Sequence, residues 1–481
     1  MVFFSSILIF LSSFICSSTY ELSEEKISKL DEIIESQMKM AKLNTLGLIV
    51  TNKSSTIYQK IYGDNDKVNE TTPFVLGSVS KSFTTLGLLK LNVQLNKTLN
   101  EYNLKDYISE EDGKNIHISE LLNHTSGLIS FGPKVNNENK GKFVYSNYGF
   151  ALLGKIIELE SGKKYSQYMK EAIFNPLNMS YAEAIYRKEI ADSYDNFLGI
   201  RTKYTGLESE IGDGFYVPAG FISASIEDMG KYLRLFLNTD SDDYKKYISQ
   251  MIKRSINIEY NIDYGMGLFI LKKNKRILYM HPGDTNSFSS YLYVYPEEEV
   301  GIFLITNSND LLCSIPKNDL FKNIESFLVF DTVDGINSGL FFHIHFSYNI
   351  IFIIIIAIPL IYLVITIIRK FKKKKYLWFT GCKGVAIFII ELILLFILPA
   401  VLLIVLYTFD DDTTYFINNS KDIKFVLFTF CSALMLTFII KIVYVFVFNK
   451  CFNSHGSDDA KKIEPMNLDY FSFHLQHSNN L

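Results

Sequence analysis

The hydrophobic positions of the chain change character at about residue 330, recurring at helix or strand intervals before it and running in unbroken blocks after it. In the first part, Leu22, Ile27, Leu30, Ile33, Ile34, Met38 and Met40 predict an amphipathic helix over 21–42. Thr45–Thr51 and Thr56–Tyr62 read as two short strands joined at a turn over Asn52–Ser55. Residues 73–89 pass from a strand-like apolar run into a helical pattern, whereas 99–117 is charged and loop-like. A helix containing Leu152, Leu153, Ile156, Ile157 and Leu159 follows Tyr145 and Asn147, and another starts after Ser225 as N-cap. Strands are expected at Met266–Lys272, Arg276–Met280, Phe288–Tyr295 and Val300–Thr306, and a closing helix at Ile315–Leu328. A helix, two strands, a long helical middle, then several strands and a helix is the order of an α+β sheet layer with a helical insertion.

The second part predicts three membrane spans. Residues 348–368 are uncharged for 21 positions, which as a helix is about 31 Å and enough to cross a bilayer. Pro359 is tolerated in such a helix. Residues 385–408 and 425–448 form the second and third spans. The loop at 369–384 carries a dense basic run and is expected in the cytoplasm by the positive-inside rule, which places the acidic loop 409–424 outside and the tail 449–481 inside. Glu391 and Lys441 lie at similar predicted depths, so they are expected to pair, most simply to hold an anchor together.

Residues 1–18 read as a cleavable signal peptide, with an uncleaved anchor as the alternative, because an apolar stretch ends in small residues just before a charged segment. The domain at 19–340 is then expected on the outer side. Sequons at Asn52, Asn69, Asn96, Asn123, Asn178 and Asn418 all fall on that side. Cys313 is the only cysteine between Cys16 and Cys382, so no disulfide within this domain is expected. A formal net charge of −3, with no basic block outside the short loop, gives no support for nucleic-acid binding. Eight histidines are scattered without zinc-like spacing, and no metal or cofactor is expected. Nothing in the pattern specifies an oligomeric state.

The candidate chemistry lies in Pro73–Leu89. If a helix begins at or just before Ser78, Lys81 stands one turn along on the same face, within reach of the serine hydroxyl. A serine needs such a base to become a nucleophile, and the helix start favours a developing oxyanion. Ser-x-x-Lys alone is a weak signal: it recurs at Ser23/Lys26, Ser161/Lys164 and Ser314/Lys317, where a solvated helix face is the ordinary reading. Tyr-x-Asn is equally common, since Tyr194–Asn196 repeats it.

Taken together and in order, GSVSKSFT, ISELLNHTSGL, YSNYGFALLGKIIE, PAGFISAS and YMHPGDTNSFSS resemble the successive signatures of the serine β-lactamase and penicillin-binding-protein-like hydrolases, particularly the class C β-lactamase and esterase branch. The resemblance covers about Leu43 to Leu328 and implies an antiparallel sheet flanked by helices, with a helical insertion, and acyl-enzyme chemistry. It implies Ser78 as the acylated nucleophile, Lys81 as its partner, Tyr145 as general acid/base, and Asn147 as the residue that orients substrate or holds Lys81. His281, Pro282 and Gly283 stand where the family has Lys-Thr-Gly or His-x-Gly. The N–H groups of Ser78 and Asp284 would form the oxyanion hole. Either Lys81 or Tyr145 could be the acylation base at this level of reading. His124 reads equally as structural or catalytic.

Two departures bear on substrate. His281 and Pro282 replace the lysine and threonine that bind a substrate carboxylate, and Asp284 adds a negative charge. A small ester, neutral amide or peptide is therefore expected before a penicillin. His281 is either a pH-dependent contact or a strand residue packed beneath the site. The same departures permit a catalytically silent binding or scaffold domain at the outer surface, although Ser78, Lys81, Tyr145 and Asn147 are all retained.

Overall fold

The computed structural model describes residues 20–63, 67–197, 200–238, 242–309, 314–333, 338–371, 381–408 and 421–448. The expected signal peptide, most of the basic loop, most of the acidic loop and the tail lie outside these. The chain divides into two compact units, Met1–Ile353 with Asp410–Phe425, and Ile354–Phe409 with Val426–Leu481.

The first unit is α+β. Its strands are β1 (Thr45–Thr51), β2 (Thr56–Gly63), β3 (Phe74–Val75), β4 (Tyr194–Phe197), β5 (Ile200–Lys203), β6 (Ser223–Ala224), β7 (Ile256–Glu259), β8 (Ile262–Tyr264), β9 (Phe269–Lys273), β10 (Arg276–Asp284), β11 (Ser289–Tyr295) and β12 (Val300–Thr306). Eight of them form one sheet in the order β2-β1-β12-β11-β10-β9-β8-β7, and its pairings are antiparallel. Strands β3 and β6 form a separate two-residue pair, and β4 and β5 a hairpin.

Burial of both sheet faces explains the apolar strands. Along β12, Ile302 and Leu304 belong to one core, and Phe303 and Ile305 to the other. The first core lies under the helix Glu24–Ala41 and the closing helix Ser314–Phe330, which supply Leu30, Ile34, Leu320, Phe321 and Ile324. The second and larger core lies under the helices inserted between β2 and β7, including Ser80–Lys90, Asn147–Ser161 and Ile226–Leu237. That last helix begins after Ser225, whose side chain accepts the Asp228 N–H.

Strand β10 runs four residues past its expected end and carries the His281-Pro282-Gly283 segment into the sheet. Pairing with β9 stops at Met280, while pairing with β11 continues to Asp284. Pro282 therefore sits where the strand has a partner on one side only, a position that tolerates a residue without an N–H. The stretch 99–117, expected to be loop, holds two short helical turns, Leu99–Tyr102 and Glu110–Gly113.

Among the described residues, three segments are long and apolar enough to cross a membrane: Asn349–Arg369, Cys382–Val405 and Ile423–Val443. The expected ion pair is present: Lys441 Nζ is 2.9 Å from Glu391 Oε1 and also donates to the Tyr362 hydroxyl at 2.6 Å. A turn of π-helix, Ile393–Ile397, follows Glu391.

Candidate active site

The helix Ser80–Lys90 is entered through a short 3-10 turn, Gly77–Val79, so Ser78 sits at the mouth of a helix whose side chains are almost all buried. From Pro73 to Leu89 every residue is buried except Ser78. Gly77 has φ +57, and a Cβ there would come within 2.6 Å of the Asp284 nitrogen and 2.5 Å of the Gly283 carbonyl carbon. Only glycine fits both that conformation and that contact. The end of β10 is thus pressed against the turn that carries Ser78. The neighbouring strand β11 is fastened to the same turn, where the Ser290 hydroxyl donates to the Leu76 carbonyl at 2.6 Å.

Lys81 is fully buried. Its Nζ is 3.0 Å from Ser78 Oγ, 2.7 Å from Asn147 Oδ1 and 2.6 Å from the Ala219 carbonyl, and 4.7 Å from the centre of the Tyr145 ring. Among the described residues no carboxylate pairs with it, and burial drives its pKa well below the ordinary lysine value. Asn147 opens the helix Asn147–Ser161, which Ser146 caps by accepting the Gly149 N–H. The Asn147 amide donates to Ser130 Oγ at 3.3 Å, so its oxygen is turned towards Lys81.

Tyr145 is half-buried. Burial pushes its pKa up, the Ser78 hydroxyl hydrogen-bonded to it opposes that, and the Asp284 charge adds to it. Behind the ring stand His124, Phe143, Tyr264, Phe269 and His281 in mutual aromatic contact.

His281 faces inward and is buried. Its Nδ1 lies 2.6 Å from the Pro282 carbonyl and its Nε2 3.2 Å from the Tyr264 hydroxyl. Nδ1 must carry the proton to meet a carbonyl, and Nε2 then accepts from Tyr264. Burial, reinforced by Lys81, lowers its pKa to about 3. Of the two readings open in the sequence, this geometry matches a packed strand residue. Asp284, at the strand's exposed end, accepts hydrogen bonds from Ser289 Oγ at 2.6 Å and Lys317 Nζ at 2.8 Å.

The structure therefore brings Ser78, Lys81, Tyr145 and Asn147 together, sets Gly283 and Asp284 beside Gly77, and turns the His281 ring away beneath them. Sequence reasoning missed Ala219 and Ser130. Ala219 acts through a backbone carbonyl, which no side-chain pattern reveals. It also missed Phe131 and Tyr216, half-exposed rings 5.6 Å apart that adjoin Ser130 and the Val217–Gly220 turn. Lys317, discounted as one of the rival Ser-x-x-Lys copies, lies against Asp284.

The Beta-lactamase family model matches residues 30–317. Protein flp of Staphylococcus aureus (strain NCTC 8325 / PS 47) is 26% identical, over 60% of this chain and 64% of its own. Penicillin-binding protein 4* of Bacillus subtilis (strain 168) is 23% identical, over 49% of this chain and 61% of its own. The chain thus spans somewhat under two thirds of the length of these curated relatives. Among solved structures, the octameric penicillin-binding protein homologue from Pyrococcus abyssi shares the fold, with a TM-score of 0.53 at 23% identity over 63% of this chain and 77% of that one.

Proposed function

Because this chain belongs to the Beta-lactamase family, whose members are generally serine hydrolases, we propose that it is a membrane-anchored serine hydrolase that acts through an acyl-enzyme on a small ester, amide or peptide. One observation carries the reading. Ser78 is the single accessible residue of an otherwise buried segment, and its hydroxyl lies 3.0 Å from an amine that is desolvated and has no carboxylate partner among the described residues.

A neutral Lys81 amine has two N–H donors and one lone pair. Asn147 Oδ1 and the Ala219 carbonyl take the two donors, which leaves the lone pair for the Ser78 proton. Lys81 is thereby the acylation base, and the lowered pKa is what allows it to be neutral. Tyr145, whose pKa is raised, stays a phenol and donates a proton to the leaving group, to be restored from Lys81 through Ser78 or substrate. The N–H groups of Ser78 and Asp284 meet the developing oxyanion, and each such donor is commonly worth a factor of about 10²–10³ in rate. Water then releases the acyl group by the reverse proton path.

With the His281 ring buried and neutral, the site lacks the strand cation that would favour a penicillin, so an esterase or peptidase is the closer description. The three apolar helices support a membrane anchor, and the signal-like N-terminus and basic loop support an outward-facing active site with glycosylated sequons. Labelling of the full-length, membrane-inserted protein with a fluorophosphonate is expected to occur and to vanish in Ser78→Ala. Absence of labelling in folded protein would refute the proposal.

A further inference from the structure

Three donors converge on one oxygen at the end of β10. Ser289 Oγ at 2.6 Å, Lys317 Nζ at 2.8 Å and Asn309 Nδ2 at 3.3 Å all reach Asp284 Oδ1. Asn309 Oδ1 holds a second proton of Lys317 at 2.8 Å. The lysine side chain is 1% exposed, while the aspartate side chain is 50% exposed. Lys317 sits in the first turn of a 17-residue helix, the end where the helix dipole disfavours a cation, so the helix itself gains nothing from it. A buried ammonium requires an anion, and here the anion is an exposed carboxylate at the rim of the reaction centre. The backbone of that same residue abuts Gly77, and its charge reaches Tyr145.

This is the construction of a carboxylate-binding site: a buried cation flanked by a hydroxyl and an amide, whose carboxylate partner is half-exposed on the residue whose backbone abuts Gly77. We infer that Asp284 fills that site from within the chain, and so restricts the substrate to compounds without a carboxylate at that end. The inference rests on the hydrolase reading above for its substrate, but not for the site itself. His281 offers no substitute anchor, since both ring nitrogens are engaged below the strand. Removing the Asp284 carboxylate should turn an internal ion pair into a receptor for an external one.

The test uses the full-length protein in detergent and two esters that differ only in whether the leaving hydroxy acid ends in a carboxylate or its carboxamide. Wild type is expected to prefer the carboxamide in kcat/KM. Asp284→Ala is expected to shift that preference at least tenfold towards the carboxylate, and Lys317→Met added to it to cancel the shift. Calorimetry in a Ser78→Ala background reads the same switch as binding: Asp284→Ala should tighten the carboxylate ester at least tenfold relative to the carboxamide. Asp284→Asn frees the same lysine with less disturbance and carries the test should the alanine variant not fold. A binding switch without turnover in wild type would refute the hydrolase reading and leave this inference standing. Turnover with no switch in either variant, or equal loss of both esters in a folded protein, would overturn it.

Discussion

The imidazole of His124 lies against the ring of Tyr145 with their centres 4.3 Å apart, and the Nδ1 of the same imidazole accepts the N–H of Ser146 at 3.1 Å. One buried side chain thus fixes both the ring of Tyr145 and the backbone just after it. His124 itself holds a left-handed conformation, φ 60, and burial keeps it neutral. In the proposed mechanism its role is to position Tyr145 through that ring contact and the adjoining backbone.

His124→Ala is therefore expected to lower kcat about 10-fold or more and to destabilise the fold by about 1–3 kcal/mol through the cavity it leaves. His124→Asn restores an acceptor for Ser146 but not the stacked ring. It should recover part of the stability and little of kcat, with KM nearly unchanged. Steady-state kinetics and thermal melts on the two variants separate the stack from the hydrogen bond. Equal recovery of both quantities by asparagine would contradict the positioning role of the ring.

As the proposed acylation base, Lys81 is expected to set the pH dependence of the reaction. Burial lowers its folded pKa below the unfolded value of 10.5, so the acylation rate should rise with pH through that lowered value and reach a plateau well before 10.5. The sign for stability follows from proton counting. Between the two pKa values the unfolded chain binds the proton that the folded chain lacks, so stability rises with pH across that window and the cost of burial is greatest below it. Lys81→Met should stabilise the protein at neutral pH while abolishing acylation, and the gain should shrink as pH approaches 10.5. Denaturant melts across that range measure it.

His281 is expected to affect stability in acid rather than turnover. Its folded pKa, near 3, lies below the ordinary 6.5, so its neutral burial contributes fully above 6.5 and is lost as pH falls towards 3. A tenfold change in proton affinity is worth about 1.4 kcal/mol, which puts the loss on the order of a few kcal/mol. Acid melts of His281→Gln should show a shallower decline between pH 6.5 and 3, with residual slope from His124, which is also buried and neutral. Turnover should show no limb assignable to His281 near neutrality.

The legibility of these features in the sequence divided along physical lines. Strands β1 and β12 were readable because burial on both faces writes a continuous apolar run, and the Val300–Thr306 limits are those observed. Strands β7 and β8 were not, because INIE and IDY are short, polar and at the sheet's far edge, where half-exposed positions mimic a loop. Within the site, local helical spacing put Ser78 and Lys81 on one face, and only the successive family signatures singled that copy out from its three rivals. The contacts of Lys81 with Asn147 and Ala219 cross 66 and 138 residues of chain and leave no local trace. Lys317 shows the converse. As a motif copy it carries no information, and its ion pair with Asp284 arises only when the closing helix meets the end of β10.

The pair Glu391–Lys441 is expected to serve the anchor rather than the chemistry. Glu391→Ala removes the ion pair with Lys441 in an apolar setting, which is costly. The yield of membrane-inserted protein should fall, while turnover per folded molecule stays within about twofold. Abolished turnover at normal yield in Glu391→Gln would contradict this.

Whether Ser78 is acylated is decided by a rapid-quench mass measurement on the full-length protein during turnover of a nitrophenyl ester. It should reveal an acyl group added to the peptide that contains Ser78, accumulating in Tyr145→Phe and absent in Ser78→Ala. Turnover that persists in Ser78→Ala, or that proceeds in wild type with no adduct on that peptide under any quench time, would contradict the acyl-enzyme route.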